Sequence, residues 1–335
     1  MAQGVVRWGV LSTAKIGVTK VIPGLQRSPM CHVAAIGSRS IGTAEQAATT
    51  LGIPRAYGSY EALLADPDID AIYNPLPNHL HVPWTIKAME AGKHVLCEKP
   101  IALNATEAAL LLDARARTGK LVAEAFMVRQ TPWWQRARTL TRDGSLGEVR
   151  AIQTFFSYML KDPANIRNQA DIGGGGLMDI GCYAIATARY VLGQEPSRVA
   201  ALIQHDPDSG IDRLTSALVA FPEAQLSFTC STSAAPYQRV VIVGTRARVD
   251  LLIPFNTPTD AACVIRIDDG SDLGGASAQV ERFEAVDQYM LQGEAFSRAV
   301  LGEAALEFPI EDAVLNMRVI DAVFAAAASG SWQPV

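Results

Sequence analysis

Val5-Val6-Arg7-Trp8-Gly9-Val10-Leu11-Ser12-Thr13-Ala14-Lys15-Ile16-Gly17 is the stretch whose reading decides the fold. Val5–Leu11 is β-rich and apolar on both parities, the pattern of a parallel strand buried on both faces. Ser12 to Lys15 is a loop of mostly small residues, and a helix is expected over Ile16–Gln26. The same alternation repeats outward from this unit. His32–Ser38 reads as a second strand, followed by a helix over Thr43–Leu51. Asp66-Pro67-Asp68 turns the chain into a strand at Ile69–Asn74. Pro83 suits the first turn of the next helix and Gly92 its end. His94–Glu98 is another strand, and Asn104-Ala105-Thr106-Glu107 has capping-box spacing before a helix that Gly119 closes. Leu121–Phe126 is strand again. Strand and helix alternating through short connections predict an α/β domain over residues 1–127, an open, mostly parallel, doubly wound sheet.

Past residue 127 the pattern changes. Thr131–Arg142 reads as helix, Val149–Tyr158 as strand, and Leu177–Leu192 as helix after the run Gly173–Gly176. Alternating strands then follow one another: Val199–His205, Thr215–Phe221, Gln225–Thr232, Arg239–Val243, Arg248–Ile253 and Val264–Asp268. Helices near Gln288–Leu301 and Glu311–Ser329 finish the chain. Residues 128–335 are therefore expected to form an α+β domain on a large open antiparallel sheet, with the last helix free to pack back on the first domain. One face of that sheet has too little helix to cover it, which predicts a homodimer, or a dimer of dimers, through that face.

The 335 residues suit two domains. Lys and Arg number 29 against 34 Asp and Glu, with no long basic block, which excludes nucleic acid and anionic membrane as partners. Charged residues are only 19% of the chain, consistent with surface hidden in a second core or at a subunit interface. Five cysteines show no paired metal spacing and read as buried thiols of a reducing, cytoplasmic protein. The apolar run Val5–Leu11 is too short for a signal core or a membrane span.

Candidate chemistry gathers where the first-domain strands end. Ser12, Thr13, Ala14, Lys15 and Ile16 stand in place of a glycine-rich dinucleotide loop, with only Gly17 a glycine. They read either as a cradle whose backbone N–H groups meet a pyrophosphate or as a plain strand-to-helix turn. After the second strand, where an acidic residue would bind ribose hydroxyls, stand Ser38 and Arg39. A guanidinium there suits a 2′-phosphate, favouring NADP over NAD; otherwise Arg39 is a surface arginine. Asn74 to His81 includes two histidines but no carboxylate at ligand spacing, so no metal is expected. Pro75, Leu76, Asn78 and His81 are read as lining the cofactor ribose. Cys97-Glu98-Lys99-Pro100 puts a lysine at the end of a buried strand, aimed at the ligand crevice, with a cis bond to proline as one way to fix its direction. Downstream, Asp179 and Tyr183 lie i, i+4 on one helix face behind four glycines that permit close approach. The bland alternative is an N-terminal Asp on the helix dipole with a packed tyrosine.

Taken together, Trp8–Gly17, Ser38–Arg39, Pro75–His81, Glu98-Lys99-Pro100, Glu124–Phe126, Gly147-Glu148-Val149 and Gly174–Tyr183 resemble the glucose–fructose oxidoreductase / inositol dehydrogenase / MocA (Gfo/Idh/MocA) family over nearly the whole chain. The resemblance implies a Rossmann domain joined to an α/β domain on an open antiparallel sheet, often paired across it. It also implies hydride transfer between NAD(P) and a carbohydrate or similar carbinol. By position, Lys99 corresponds to the active-site lysine, Asp179 to a substrate-hydroxyl partner, and Tyr183 to the place where many members have a histidine. Glu98 falls on the cofactor side of the same motif, and Phe126 and Arg167 (in Asp162-Pro163-x-Asn165-Ile166-Arg167) fall near the substrate. The tyrosine and the glycine-poor loop resemble the branch of dihydrodiol dehydrogenases, NADP-dependent xylose dehydrogenases, aldose–aldose oxidoreductases and nucleotide-sugar ketoreductases.

A sugar or polyol substrate is therefore expected, with Tyr183 as proton acceptor or donor, since an adjacent ammonium such as Lys99 favours the phenolate of a group that ordinarily titrates at about 10. The alternatives are a trans-diol, a keto-sugar, two aldoses served in turn by a non-dissociating NADP, or a non-catalytic NADP-sensing regulator. Relatives often have Tyr-Arg-x-His-Pro where this chain reads Val128-Arg129-Gln130-Thr131-Pro132 before Trp133-Trp134, which points to a larger or more apolar substrate.

Overall fold

Six apolar segments of three to seven residues build the first sheet: β1 (Val6–Leu11), β2 (Cys31–Gly37), β3 (Arg55–Tyr57), β4 (Ala71–Asn74), β5 (His94–Cys97) and β6 (Val122–Glu124). All pairs are parallel, in the order β3-β2-β1-β4-β5-β6. The order reverses between β1 and β4, where doubly wound sheets open a ligand crevice at the carboxyl ends of their strands. Trp8, Val10, Leu11, Ile36, Ile72, Tyr73 and Val95 are fully buried, as strands covered on both faces require. The helix Ala105–Thr118 starts at Asn104, whose side chain accepts from the Glu107 amide at 2.8 Å. The Glu107 carboxylate accepts from the Leu103 amide at 2.7 Å, one residue earlier than a capping box requires.

The computed structural model describes residues 4–335. The first unit runs to Met127 and also takes Asp287–Met317; the second takes Val128–Val286 and Arg318–Val335. The helix Gln288–Val300, expected in the second domain, therefore belongs to the first, and packing explains it. The Trp8 indole donates to Ser297 Oγ at 3.2 Å and its ring lies 5.5 Å from Phe296, while Arg27 pairs with Asp287. Gly24 and Gly293 permit this seat: a Cβ on Gly24 would come within 2.9 Å of Tyr289, and one on Gly293 within 2.2 Å of Leu25.

The second sheet has nine strands: β7 (Val149–Met159), β8 (Arg198–His205), β9 (Asp212–Ala220), β10 (Gln225–Ser231), β11 (Ser233–Gly244), β12 (Arg248–Leu251), β13 (Cys263–Asp268), β14 (Gln279–Phe283) and β15 (Gln333–Pro334). Their order is β14-β13-β12-β11-β7-β10-β9-β8-β15. Every pairing is antiparallel except β7 with β10, so the large antiparallel sheet expected from the sequence is present and is mixed at one pair. Alternation divides its faces. Ile152, Phe156, Val219, Leu226, Phe228, Val240 and Ile242 are buried, whereas Phe155, Leu202, Leu218 and Tyr237 on the other parity are exposed. All five cysteines are free and buried. Among the described residues no helix is long and apolar enough to cross a membrane.

Candidate active site

In the first unit the parallel strands deliver the expected residues to one edge of the sheet. After β1, Ser12 adopts φ 73°, the left-handed turn a dinucleotide loop usually gives to glycine. Its amide donates to Gly37 O at 2.8 Å, and its hydroxyl accepts from the Ala14 amide at 3.2 Å. That Asx-like bond stabilises locally what glycine would adopt at no steric cost. The helix after it begins at Lys15, and the Val18 amide already reaches Ala14 O at 3.1 Å. The amides of Lys15, Ile16 and Gly17 are those a helix start leaves without intrahelical acceptors, at the positive end of its dipole. A Cβ on Gly17 would meet nothing nearer than 3.6 Å. These features fit a pyrophosphate.

After β2, Ser38 is buried, with its amide donating to Tyr57 O at 2.9 Å, while Arg39 is exposed. The Tyr60 phenol feels the Arg39 charge, and no carboxylate pairs with Arg39 among the described ion pairs. A guanidinium two residues past the second strand fits a phosphate on the ribose.

After β4, Asn74 binds its own loop. Its amide nitrogen donates to His81 O and Thr85 Oγ1, both at 3.1 Å, and its oxygen accepts from the Leu76 amide at 3.3 Å. Pro75 and Leu76 are buried and Asn78 is half-buried. His81 corrects the expectation that it lines the cofactor. It is 1% exposed, with Nδ1 2.7 Å from Pro100 O and Nε2 2.6 Å from Leu76 O, so both ring nitrogens are taken by main-chain carbonyls. Burial pushes this imidazole down to about 4. It pins the loop after β4 to the loop after β5. A neutral ring can donate to one carbonyl only.

The Lys99–Pro100 bond is cis. The Glu98 amide donates to Asn74 O at 3.0 Å, and the Glu98 carboxylate accepts from the Tyr73 hydroxyl at 2.6 Å. Burial, with the Glu98 charge, pushes the Tyr73 phenol up, so it stays a donor. Lys99 is half-buried at the carboxyl end of β5. Glu124 Oε1 accepts from the Ile101 amide at 2.8 Å and so braces the far side of the same turn. Phe126, expected near the substrate, is 2% exposed. The carboxamide of Gln292 lies 3.1 Å from the Phe126 and Met127 amides, oriented to accept from both.

The second unit holds the other group of expected residues. Asp179 lies in a π-helical turn, Leu177–Gly181, that runs into the helix Cys182–Leu192 carrying Tyr183. Asp179 Oδ1 meets Arg167 Nε at 2.9 Å, and Oδ2 accepts from the Tyr158 hydroxyl at 2.5 Å. Tyr158, at the end of β7, escaped the sequence reading; its only signal is the last place in an alternating strand. Burial and the Asp179 charge raise its phenol, which keeps its proton. The Arg167 side chain remains 41% exposed, enough to meet a ligand while paired. Tyr183 is 6% exposed, its ring 5.3 Å from that of Phe255 and 6.0 Å from that of Phe156.

Trp133 and Trp134 follow the segment that departs from the family motif. Both are fully buried: Trp134 donates to Pro254 O at 2.6 Å and stacks near Phe255, and Trp133 packs on Phe283. They are core.

Comparison with known proteins agrees with this construction. Residues 6–126 match the oxidoreductase family with an NAD-binding Rossmann fold, and residues 134–250 match the GFO/IDH/MocA C-terminal domain. The chain is 47% identical to an uncharacterized oxidoreductase of Rhizobium meliloti, covering 98% of this chain and 99% of that one. It is 40% identical to an NADP(+) D-xylose 1-dehydrogenase of Haloferax volcanii, covering 97% and 98%. Among solved structures, a 3-ketoreductase from Actinomadura kijaniata in complex with NADP and TDP-benzene superposes with a TM-score of 0.87 at 32% identity, covering 96% of this chain and 98% of that one. The parallel sheet with its nucleotide edge and the mixed second sheet thus belong to a member of the Gfo/Idh/MocA family, an NAD(P)-dependent oxidoreductase.

Proposed function

We propose that the protein is an NADP-preferring dehydrogenase that moves hydride between the nicotinamide and a sugar carbinol, an aldose oxidised at C1 being the first reading. The observation that carries the sugar is the cluster of Asp179, Tyr158 and Arg167: a carboxylate, a phenol and a half-exposed guanidinium, a donor–acceptor set that suits a polyhydroxylated substrate. The D-xylose 1-dehydrogenase relative supports the same reading. Ser12–Ile16 would hold the pyrophosphate, Ser38 and Arg39 the 2′-phosphate, and the segment Pro75–Asn78 with Glu98 the ribose side.

NADP held there would supply the hydride acceptor for oxidation of the carbinol carbon and the hydride donor for the reverse reduction. Tyr183 takes the hydroxyl proton as the carbon–hydrogen bond breaks, leaving a carbonyl or lactone, and gives it back in the reverse direction. The family resemblance gives Lys99 the role of polarising the reacting oxygen. Asp179 accepts from a neighbouring hydroxyl and so orients the ring. Keto-sugar reduction is the second reading, favoured by the NADP-bound 3-ketoreductase relative. A trans-diol, a trapped NADP serving two aldoses and a non-catalytic sensor are the outcomes to be separated from these. The outer sheet face, a groove of about 780 Å³ lined by Phe155, Leu202, Leu218, Tyr237 and Trp332, supports pairing of two copies.

The test is the initial rate of NADP⁺ and NAD⁺ reduction with pentoses, hexoses and trans-diols, repeated on Lys99→Met and Tyr183→Phe. Turnover with one sugar is expected, and a loss of at least ~100-fold in each variant with NADP still bound. Near-normal turnover in either variant removes that residue from the chemistry.

A further inference from the structure

A buried carboxylate lies beneath the turn that carries Asp179. Asp212, at the first position of β9, is 3% exposed. Its Oδ2 accepts from the Leu177 amide at 2.6 Å and from the Thr215 hydroxyl at 2.8 Å. Leu177 is the first residue of the π-turn, so the carboxylate caps the orphan amide at its entrance. The glycine run makes room for it. Gly175 has φ 116°, and a Cβ there would lie 1.9 Å from Asp212 Oδ1; at Gly176 it would lie 3.2 Å from Asp212 O. The Asp179 amide in turn donates to Gly175 O at 3.0 Å, so the residue in contact with Asp212 also holds the backbone of Asp179.

We propose that Asp212 is the positioning residue of the substrate site, fixing the turn Gly175–Leu177 and through it the direction of the Asp179 carboxylate. The proposal rests on the sugar dehydrogenase reading only for its effect on turnover; the effect on the turn is independent of it. Among the described residues no ion pair shields Asp212. His205 of β8 faces it and favours its charge, and the Cys230 thiol of β10 feels that charge. Its sequence neighbour Arg213 turns to Asp206, at 3.8 Å. Burial dominates and pushes the Asp212 carboxyl up to about 6. A buried charge is retained here at a cost in folding, which suits a residue kept for geometry.

Asp212→Asn keeps the shape and removes the charge. The direct readout is hydrogen exchange of the amides from Leu177 to Tyr183 in the full chain. We expect exchange there to rise on the order of ten-fold at pH 7, as a charge-assisted bond becomes a neutral one. With D-xylose as probe, kcat should fall ~10–100-fold while NADP binding by the first unit stays unchanged. Thr215→Val, which removes one of the two donors, gives a smaller change in the same direction and serves if Asp212→Asn does not fold. Unchanged exchange in both variants overturns the proposal. Altered exchange with no turnover of any sugar by the unmodified protein upholds it and overturns the sugar reading instead.

Discussion

Gly175→Ala is the sharpest structural perturbation this site offers. Two effects add. At φ 116° an L side chain is strained, by about 1–3 kcal/mol for such regions. The new Cβ would also stand 1.9 Å from Asp212 Oδ1, less than any non-bonded contact, so the carboxylate must withdraw. Its bonds to the Leu177 amide and the Thr215 hydroxyl, 2.6 and 2.8 Å, then break or lengthen. Losing one hydrogen bond to a charged group costs about 1.5–3 kcal/mol. The sum is roughly 3–6 kcal/mol, against about 1 kcal/mol for Gly210→Ala, a glycine also at positive φ with nothing within 4 Å of its absent Cβ. Urea unfolding followed through second-unit tryptophan fluorescence measures both; Trp134, buried beside Phe255, reports it. With slopes of about 1–3 kcal/mol/M, the two variants should differ in midpoint by about 1 M or more. Equal midpoints would refute the claim that Asp212 and Gly175 occupy one space.

Arg39→Ala should raise KM for NADP about 10–100-fold and leave that for NAD within about two-fold, since the guanidinium has a phosphate to bind in one cofactor only; coenzyme titrations decide it. Leu218→Glu sets a charge in the middle of the exposed outer sheet face, where Leu218 is 50% exposed. Sedimentation equilibrium should give twice the chain mass for the unmodified protein and the single chain mass for the variant.

What the sequence disclosed follows from which forces are local. The strands of the first sheet announce themselves because burial on both faces demands continuous apolar runs, as in Val6–Leu11 and Cys31–Gly37. The strand Arg55–Tyr57 went unread: its three residues are all half-buried, and it is held by pairing with β2 and by the Tyr57 hydroxyl on Asp66 at 2.7 Å. The strand Gln279–Phe283 likewise lacks an apolar face and is formed by its neighbour β13. Lys99, Asp179 and Arg39 could be placed from the sequence, at strand ends and by helix spacing, because those are sequence properties. His81 could not, since a histidine near a crevice looks alike whether it faces a ligand or the core. Asp212 was silent: Gly210-Ile211-Asp212-Arg213 reads as a solvated loop, and only the fold carries it under Leu177.

The geometry of the second unit also separates two roles that a carboxylate and a phenol could exchange. An ionised carboxylate has about four acceptor sites. On Asp179 one is taken by Arg167 and another by Tyr158, whose raised phenol holds its own proton. Under the proposed function the same carboxylate meets a substrate hydroxyl, which makes Asp179 an orienting acceptor whose value lies in its direction. Direction is what the Gly175 carbonyl and Asp212 supply. Tyr183, on the following turn, has ring contacts with Phe156 and Phe255, and under the proposed function its hydroxyl is the group that exchanges the proton. On that division a displaced Asp179 harms catalysis by misplacing the sugar, whereas a missing Tyr183 hydroxyl removes the proton path itself. The two losses should therefore differ in whether substrate still binds.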